Sequence, residues 1–303
     1  MIEVRGLRKR FGAVEALAGI DLHVPAGTLF GLLGPDGAGK TTTLRCLAGV
    51  LAPDGGQVRV AGQDPVSPGA RRRLGYVTQP PGLYGDLTVQ ENIVFFGRVY
   101  GLEPGVLRER IREVLDFTGL GPFAGRLADH LSGGMRQKLA LACALVHEPD
   151  VLLLDEPTTG VDPLARRDFW TLLDRLRARG VAAVVSTPYQ DEARRCDRLA
   201  FLWRGRLLAE GAPEEVRQLA PPGVLRLTGA PLAALRQVAA GCPSVRVAYA
   251  DARGVTALGD DPERMRIEIE EGLGRAGLSA AVAPATAVLE DALIALTVAG
   301  EGA

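Results

Sequence analysis

Lys40 is one of only three lysines in a chain that draws the rest of its positive charge from arginine. It stands in the stretch Gly34-Pro35-Asp36-Gly37-Ala38-Gly39-Lys40-Thr41-Thr42, where Gly34 and Gly39-Lys40-Thr41 fit G-x-x-x-x-G-K-[ST], the spacing of a phosphate-cradling loop. Glycines there let backbone N–H groups converge on phosphate oxygens at the positive end of a helix. Lys40 would neutralise the β- and γ-phosphates as a compact point charge, a contact that arginine's planar fork fits poorly, and the Thr41 hydroxyl would ligate Mg²⁺. A second group, Asp155-Glu156, ends the apolar run Val151 to Leu154. Two adjacent acids at the mouth of a buried strand are costly unless a cation or a reaction uses them. Asp155 suits Mg²⁺, held directly or through water, and Glu156 suits the orientation and deprotonation of an attacking water. A third group, Ser132-Gly133-Gly134-Met135, offers an N-cap and two glycines that expose backbone N–H groups at another helix start. One nucleotide does not need two such anion sites from one chain, so this one makes sense if it faces a nucleotide held by another subunit.

These groups need strands and helices to place them. Leu29 to Leu33 is a strand-type run leading into the phosphate loop, and Thr43 to Gly49 continues as a helix. Before it, residues 1–33 read as short strands, with Phe11 in the Lys9-Arg10-Phe11-Gly12 turn and a second strand at Ile20 to Val24. Phe11 by spacing alone reads as core packing. Gln57 to Val60 and Leu74 to Thr78 are strand-like, and Gln79 follows the latter, where a polar residue either reaches a ligand or caps a solvated strand end. Residues 86–147 change character towards helix: Thr88 and Glu91 form a capping-box pattern, and Pro104 to about Phe117 is a second helix. Phe169, Leu172, Leu173 and Leu176 line the inner face of the helix after Asp162-Pro163. Val181 to Thr187 is a further buried strand, and Phe201 to Leu208 is a hairpin turning at Arg204-Gly205.

With 303 residues there is length for about two domains, and a net charge of −1 advertises neither nucleic acid nor anionic lipid. Cys46, Cys143, Cys196 and Cys242 are scattered without a C-x-x-C pair, which fits a reducing compartment and argues against a disulfide framework. The start is strand-like rather than a secretory leader, and no apolar run approaches the roughly 18–20 residues needed to span a bilayer. The expectation is therefore a cytoplasmic chain, held at a membrane only through a partner.

In this order the phosphate loop, Leu131-Ser132-Gly133-Gly134-Met135 and Asp155-Glu156 resemble the nucleotide-binding subunit of ABC transporters over about residues 2–220. The resemblance implies an α/β P-loop NTPase of ABC type, with a mixed sheet and a helical subdomain at about 86–147 that docks on the membrane subunit. It implies a head-to-tail dimer with two ATP molecules at the interface, each held by one subunit's phosphate loop and the other's Ser132–Met135 segment. It makes Phe11 the adenine-stacking aromatic, Gln79 the Mg²⁺- and permease-sensing glutamine, and Asp162 part of the loop that communicates across the dimer. Gln79 joins Lys40 and Glu156 on the catalytic side, and joins Thr41 and Asp155 as Mg²⁺ ligands. Two positions depart from the family pattern: Asp36 replaces a usual Asn, and Pro188 occupies the place of the switch histidine. Proline has no side-chain donor and no N–H, so turnover at this site is expected to be roughly 10²–10³-fold lower. Within the family, Thr118 to Phe123, the helix that Ser132-Gly133-Gly134-Met135 opens and Ser186 to Ala193 most resemble the N-terminal half of two-cassette subunits of drug- or ion-export type.

After Pro221-Pro222-Gly223 the pattern restarts as βαββαβ: strand at 224–227, helix at 231–239, hairpin pair at 245–250 and 254–258, helix at 261–275, strand at 278–283, with a closing helix at 289–297. That order predicts a small α+β ferredoxin-like domain over 221–303, behind a nucleotide-binding domain over 1–220. The expected function is ATP hydrolysis powering an exporter through separately encoded integral membrane permease subunits, with the chain peripheral on the inner face of the cell membrane. Its second cassette would be another copy or a histidine-bearing heterodimer partner. The rival readings are a soluble ABC ATPase on ribosomes or nucleic acid, for which there is no basic stripe, and an ATP-sensing subunit with little turnover.

Overall fold

Short, fully apolar segments build the centre of the first half of the chain. In the computed structural model, which describes residues 1–301, these segments are β3 (Leu29–Leu33), β5 (Leu74–Val77), β6 (Val151–Asp155), β7 (Ala182–Thr187) and β8 (Arg198–Trp203). They pair in parallel in the order β5-β6-β7-β3-β8, and β9 (Arg206–Gly211) adds to β8 through the Arg204-Gly205 turn, completing a six-stranded sheet. Strands buried on both faces need apolar side chains at every position, which is why these read as continuous runs rather than alternating ones. Phe30, Leu32, Val151, Leu153 and Val184 point into one core layer, and Leu29, Leu152, Leu154 and Val185 into the other.

The first layer lies against an antiparallel sheet of order β2-β1-β4, made from β1 (Ile2–Phe11), β2 (Val14–Val24) and β4 (Gly55–Val60), together with α1 (Lys40–Leu47). The other face carries α3 (Val89–Val99), α4 (Pro104–Thr118), α5 (Gly133–Leu145) and α6 (Pro163–Ala178). Two short helices, α2 (Pro68–Arg72) and α7 (Gln190–Ala193), precede β5 and β8. β1 and β2 run ten and eleven residues, longer than the short strands expected from sequence. Irregular register at Val4/Leu7 and Lys9/Arg10 breaks the side-chain alternation that would have marked their length. The capping box is formed: the Thr88 N–H donates to Glu91 Oε2 at 2.8 Å, and the Glu91 N–H to Thr88 Oγ1 at 3.2 Å.

The chain divides into two compact units, with the division between Leu207 and Leu208, inside β9 and ahead of the expected hinge at Pro221-Pro222-Gly223. The second unit contains α8 (Pro213–Arg217), β10 (Gly223–Thr228), α9 (Leu232–Ala240), β11 (Val247–Asp251), β12 (Gly254–Gly259), α10 (Pro262–Arg275), β13 (Ala281–Pro284) and α11 (Leu289–Glu301). Its four strands are antiparallel in the order β11-β12-β10-β13, the split βαβ arrangement. α9 and α10 pack on that sheet through Leu235, Ala239, Met265, Ile269 and Leu273. The last strand begins at Ala281 rather than 278, because pairing with β10 starts only at Thr228↔Ala281. Residues 302 and 303 of the expected second domain lie outside the described residues. Among the described residues, no helix is long and apolar enough to cross a membrane.

Candidate nucleotide site

The loop between β3 and α1 folds as it does because two of its glycines cannot be replaced. Gly34 has φ +153°, and a Cβ there would lie 2.4 Å from the Leu202 carbonyl oxygen. Gly39 has φ +108°, and a Cβ there would meet the Ala16 carbonyl oxygen at 2.8 Å. Each therefore serves both the left-handed backbone and the close approach of neighbouring chain. Gly39 caps α1 without any side-chain hydrogen bond, so the helix's first N–H groups are not taken by a capping side chain. Lys40 is 4% exposed, and its ammonium donates to the Gly34 and Pro35 carbonyls at 2.7 and 3.1 Å and lies 3.4 Å from Glu156 Oε1. A buried ammonium aimed across its own loop, with carbonyls on one side and a carboxylate on the other, sits where phosphate oxygens of a bound nucleotide would complete its shell.

Beneath the loop the carboxylates are tied in. Thr41 Oγ1 and Ser186 Oγ both donate to Asp155 Oδ1, at 3.1 and 2.8 Å, and the Glu156 N–H donates to Ser186 Oγ at 2.9 Å. Ser186 stands opposite Asp155 in the β6–β7 register. Glu156 is a non-glycine residue at φ +45°, and its carboxylate accepts a hydrogen bond from Thr159 Oγ1 at 3.2 Å. Thr41, Asp155 and Gln79 together make a set of hard, uncharged and anionic oxygens, the chemistry that Mg²⁺ prefers.

A cavity of about 750 Å³ joins these parts. Phe11, Gln79, Glu156, Thr159 and Arg204 line it together with residues 36–42. That volume lies within the roughly 300–1,000 Å³ of cofactor-sized pockets. Phe11 is half exposed rather than packed in the core, so its ring face is available for stacking. Asp36 is exposed at the loop's outer edge. The sequence reading did not single out Glu15, Thr159 or Arg204 as site residues; Arg204 stands at φ +48° in the tight turn that the hairpin pattern did place.

Ser132-Gly133-Gly134-Met135 does not line this cavity. Ser132 caps α5, its Oγ accepting the Met135 N–H at 3.3 Å. Gly134 is held close to α6, where a Cβ would lie 2.4 Å from that of Ala165, whereas a Cβ at Gly133 would make only an ordinary contact with the Gly160 carbonyl oxygen at 3.9 Å. Gly133 instead lines a separate recess of about 400 Å³ with Pro80, Asp129, Arg136 and Gly160. Asp162 caps α6, accepting the N–H groups of Leu164 and Ala165 at 3.1 and 2.9 Å. Pro188 is exposed just beyond β7, and the Tyr189 N–H that follows it donates back to Thr187 Oγ1 at 3.0 Å.

A parallel sheet, a glycine loop gripping a buried lysine and paired strand-end acids define a P-loop nucleoside triphosphatase. The ABC transporter family model matches residues 17–159. The Nod factor export ATP-binding protein I of Burkholderia lata is 40% identical over 302 residues, covering 98% of this chain and 96% of that protein. The probable multidrug ABC transporter ATP-binding protein YbhF of Escherichia coli is 45% identical over 219 residues, 72% of this chain, which spans only 38% of YbhF's length. The daunorubicin/doxorubicin resistance ATP-binding protein DrrA of Streptomyces peucetius is 44% identical over 229 residues, 75% of this chain and 69% of DrrA. Among solved structures, an ATP-binding subunit of an ABC transporter superposes with a TM-score of 0.65 at 30% identity, over 72% of this chain and 92% of that one. The dimeric post-hydrolysis ATP-binding cassette MJ0796 with ADP and Pi gives 0.64 at 27% identity, over 70% and 98%. The chain belongs to the ATP-binding proteins of the ABC transporter family. Its relatives are transport subunits, which sets aside the reading as a ribosome- or nucleic-acid-associated ATPase.

Proposed function

We propose that this chain powers export through separately encoded integral membrane permease subunits, as a peripheral subunit on the inner face of the cell membrane, with Mg²⁺·ATP as its fuel. The observation that supports this best is the meeting of Lys40, Thr41, Glu156, Gln79 and Phe11 around one cavity, with Asp155 buried behind Thr41 and bonded to its hydroxyl, while Gly133 lines a separate recess. Phe11 stacks on adenine, and residues 34–42 with Lys40 hold the phosphates. Thr41, Asp155 and Gln79 would hold Mg²⁺, which would supply positive charge to neutralise the phosphates. Glu156 accepts the proton of the attacking water, and the strand-end fixation of its backbone by Ser186 keeps the carboxylate at the cavity wall.

The Ser132–Met135 helix start completes the nucleotide site of a second cassette subunit, either another copy or a histidine-bearing partner. Pro188 leaves this chain's own site without the donor expected there, so its turnover is slow and ATP binding outlasts hydrolysis. Residues 1–220 carry this activity; the α+β unit that follows serves dimerisation or regulation. Affinity purification of the tagged chain from native membranes tests the assignment: a polytopic membrane protein should co-purify, with or without a second cassette. Recovery of ribosomal proteins alone would overturn it.

A further inference from the structure

One buried carboxylate in the first unit has no part in the chemistry above. Glu192, in α7, is 1% exposed. Its Oε1 accepts the Thr158 hydroxyl at 2.5 Å and its Oε2 accepts the Thr187 hydroxyl at 2.6 Å. The Arg166 guanidinium, in the first turn of α6, lies 3.5 Å from Oε1 and also covers the Tyr189 ring at 4.5 Å. Burying a carboxylate is costly, and the cost is recovered only if both oxygens are hydrogen-bonded and the charge is balanced, as they are here. The partners come from three separate segments. Thr158 lies two residues after Glu156, Thr187 lies immediately before Pro188, and Arg166 follows the Asp162 cap.

We propose that Glu192 is a positioning residue for hydrolysis, acting through Glu156. This rests on the reading of Glu156 as the carboxylate that activates water. Glu156 occupies left-handed backbone at φ +45°, a conformation that a glutamate does not hold unaided. Its turn is pinned in front by Ser186 and behind by the Thr158–Glu192 bond. The Thr187–Glu192 bond fastens the Pro188 segment to the same carboxylate, and Thr187 in turn orders Tyr189 N–H. One side chain thus fixes the distance between the water-activating loop and the segment that borders it, without touching the nucleotide cavity, whose lining does not include it. A shift of about 1 Å at a reacting group is enough to lower turnover about 10²-fold.

The test is kinetic, on the full-length protein. Glu192→Ala should lower kcat roughly 10²-fold and Thr158→Val, which removes one hydroxyl at nearly constant volume, roughly tenfold, with KM and nucleotide affinity within about threefold of the parent. In a Glu156→Gln background, single-turnover hydrolysis should fall no further on adding Thr158→Val, because the two act through one group. Parental kcat in Thr158→Val overturns the proposal, as does a full additional loss in the Glu156→Gln background or a rise in KM at constant kcat. Thr158→Val decides the matter if Glu192→Ala does not fold. Parental turnover in Glu156→Gln alone would instead sink the assignment of Glu156, a separate outcome from a failure of Glu192.

Discussion

Two helices in the first unit start at a glycine beside a recess, Gly39 as the cap of α1 and Gly133 as the first residue of α5, and they differ in what surrounds their first N–H groups. α1 has no capping side chain; a buried lysine, a threonine hydroxyl and two strand-end acids surround its start. α5 has one of its first N–H groups, that of Met135, taken by Ser132, and none of its first three residues is charged. The first is a grip whose donors are open to a polyanion. The second is a finished helix end that adds dipole and backbone N–H groups to a charge held elsewhere. The difference teaches that anion-binding potential at a helix start becomes a nucleotide site only where side-chain charge and a metal-type oxygen set converge on it.

Variants at the first helix should have the largest effects. Glu156→Gln should lower ATP turnover by about 10²–10⁴-fold while equilibrium binding of a nucleotide analogue persists, whereas Lys40→Ala should weaken binding itself. Comparable losses of affinity in both would dissolve the distinction between grip and base. Pro188→His puts a side-chain donor at position 188 and, if that position faces the phosphate, should raise turnover about 10²-fold in steady-state assays; an unchanged rate would mean that it does not.

The far end of α5 gives a pH-dependent contrast. His147, just past that helix, stacks on Tyr100 at 3.5 Å between ring centroids, and its Nε2–H donates to the Leu74 carbonyl at 3.0 Å. Its Nδ1 is buried without a partner, and burial pushes its pKa down to about 4. Between pH 6.5 and 4 the unfolded chain takes up a proton that the folded ring refuses, so stability should be full above pH 6.5 and fall by up to about 3 kcal/mol towards pH 4. Denaturant titrations of the parent and of His147→Gln should show a steeper loss of stability below pH 6.5 in the parent, the variant keeping only the loss from carboxylates held below their usual pKa. Ser132→Ala should cost about 1 kcal/mol of stability through the lost cap, read as a lower denaturation midpoint, and leave the nucleotide affinity of the isolated chain untouched, since Ser132 lies outside its cavity.

Much of this was legible in the residues. The phosphate loop is a local motif whose glycines, lysine and threonine lie within nine positions, and the strand before it is a continuous apolar run, so both could be read without knowing any long-range contact. The same holds for the Thr88 capping box and for the βαββαβ order of the second unit. What escaped depends on strand neighbours. Ser186 became meaningful only once β6 and β7 were paired and Asp155 stood opposite it. Glu192, read as one residue of a segment notable for lacking a histidine, receives hydroxyls from positions 34 and 5 residues away. Arg204 reaches the cavity because the β8–β9 turn folds beside the phosphate loop, where the Gly205 N–H donates to the Ala38 carbonyl.

Gly133→Asp tests the comparison of the two helices most directly. A Cβ at Gly133, the first position of α5, would make only an ordinary contact with the Gly160 carbonyl oxygen at 3.9 Å, and a carboxylate there favours the helix dipole, so the substitution should leave stability unchanged or slightly raised. It also lies outside the cavity around Lys40, so nucleotide affinity of the isolated chain should hold. If this helix start completes a nucleotide site in another subunit, the added negative charge will repel its phosphates, and ATP turnover of the assembled complex should fall at least about tenfold. Parental turnover in a folded, nucleotide-binding Gly133→Asp complex would contradict the account.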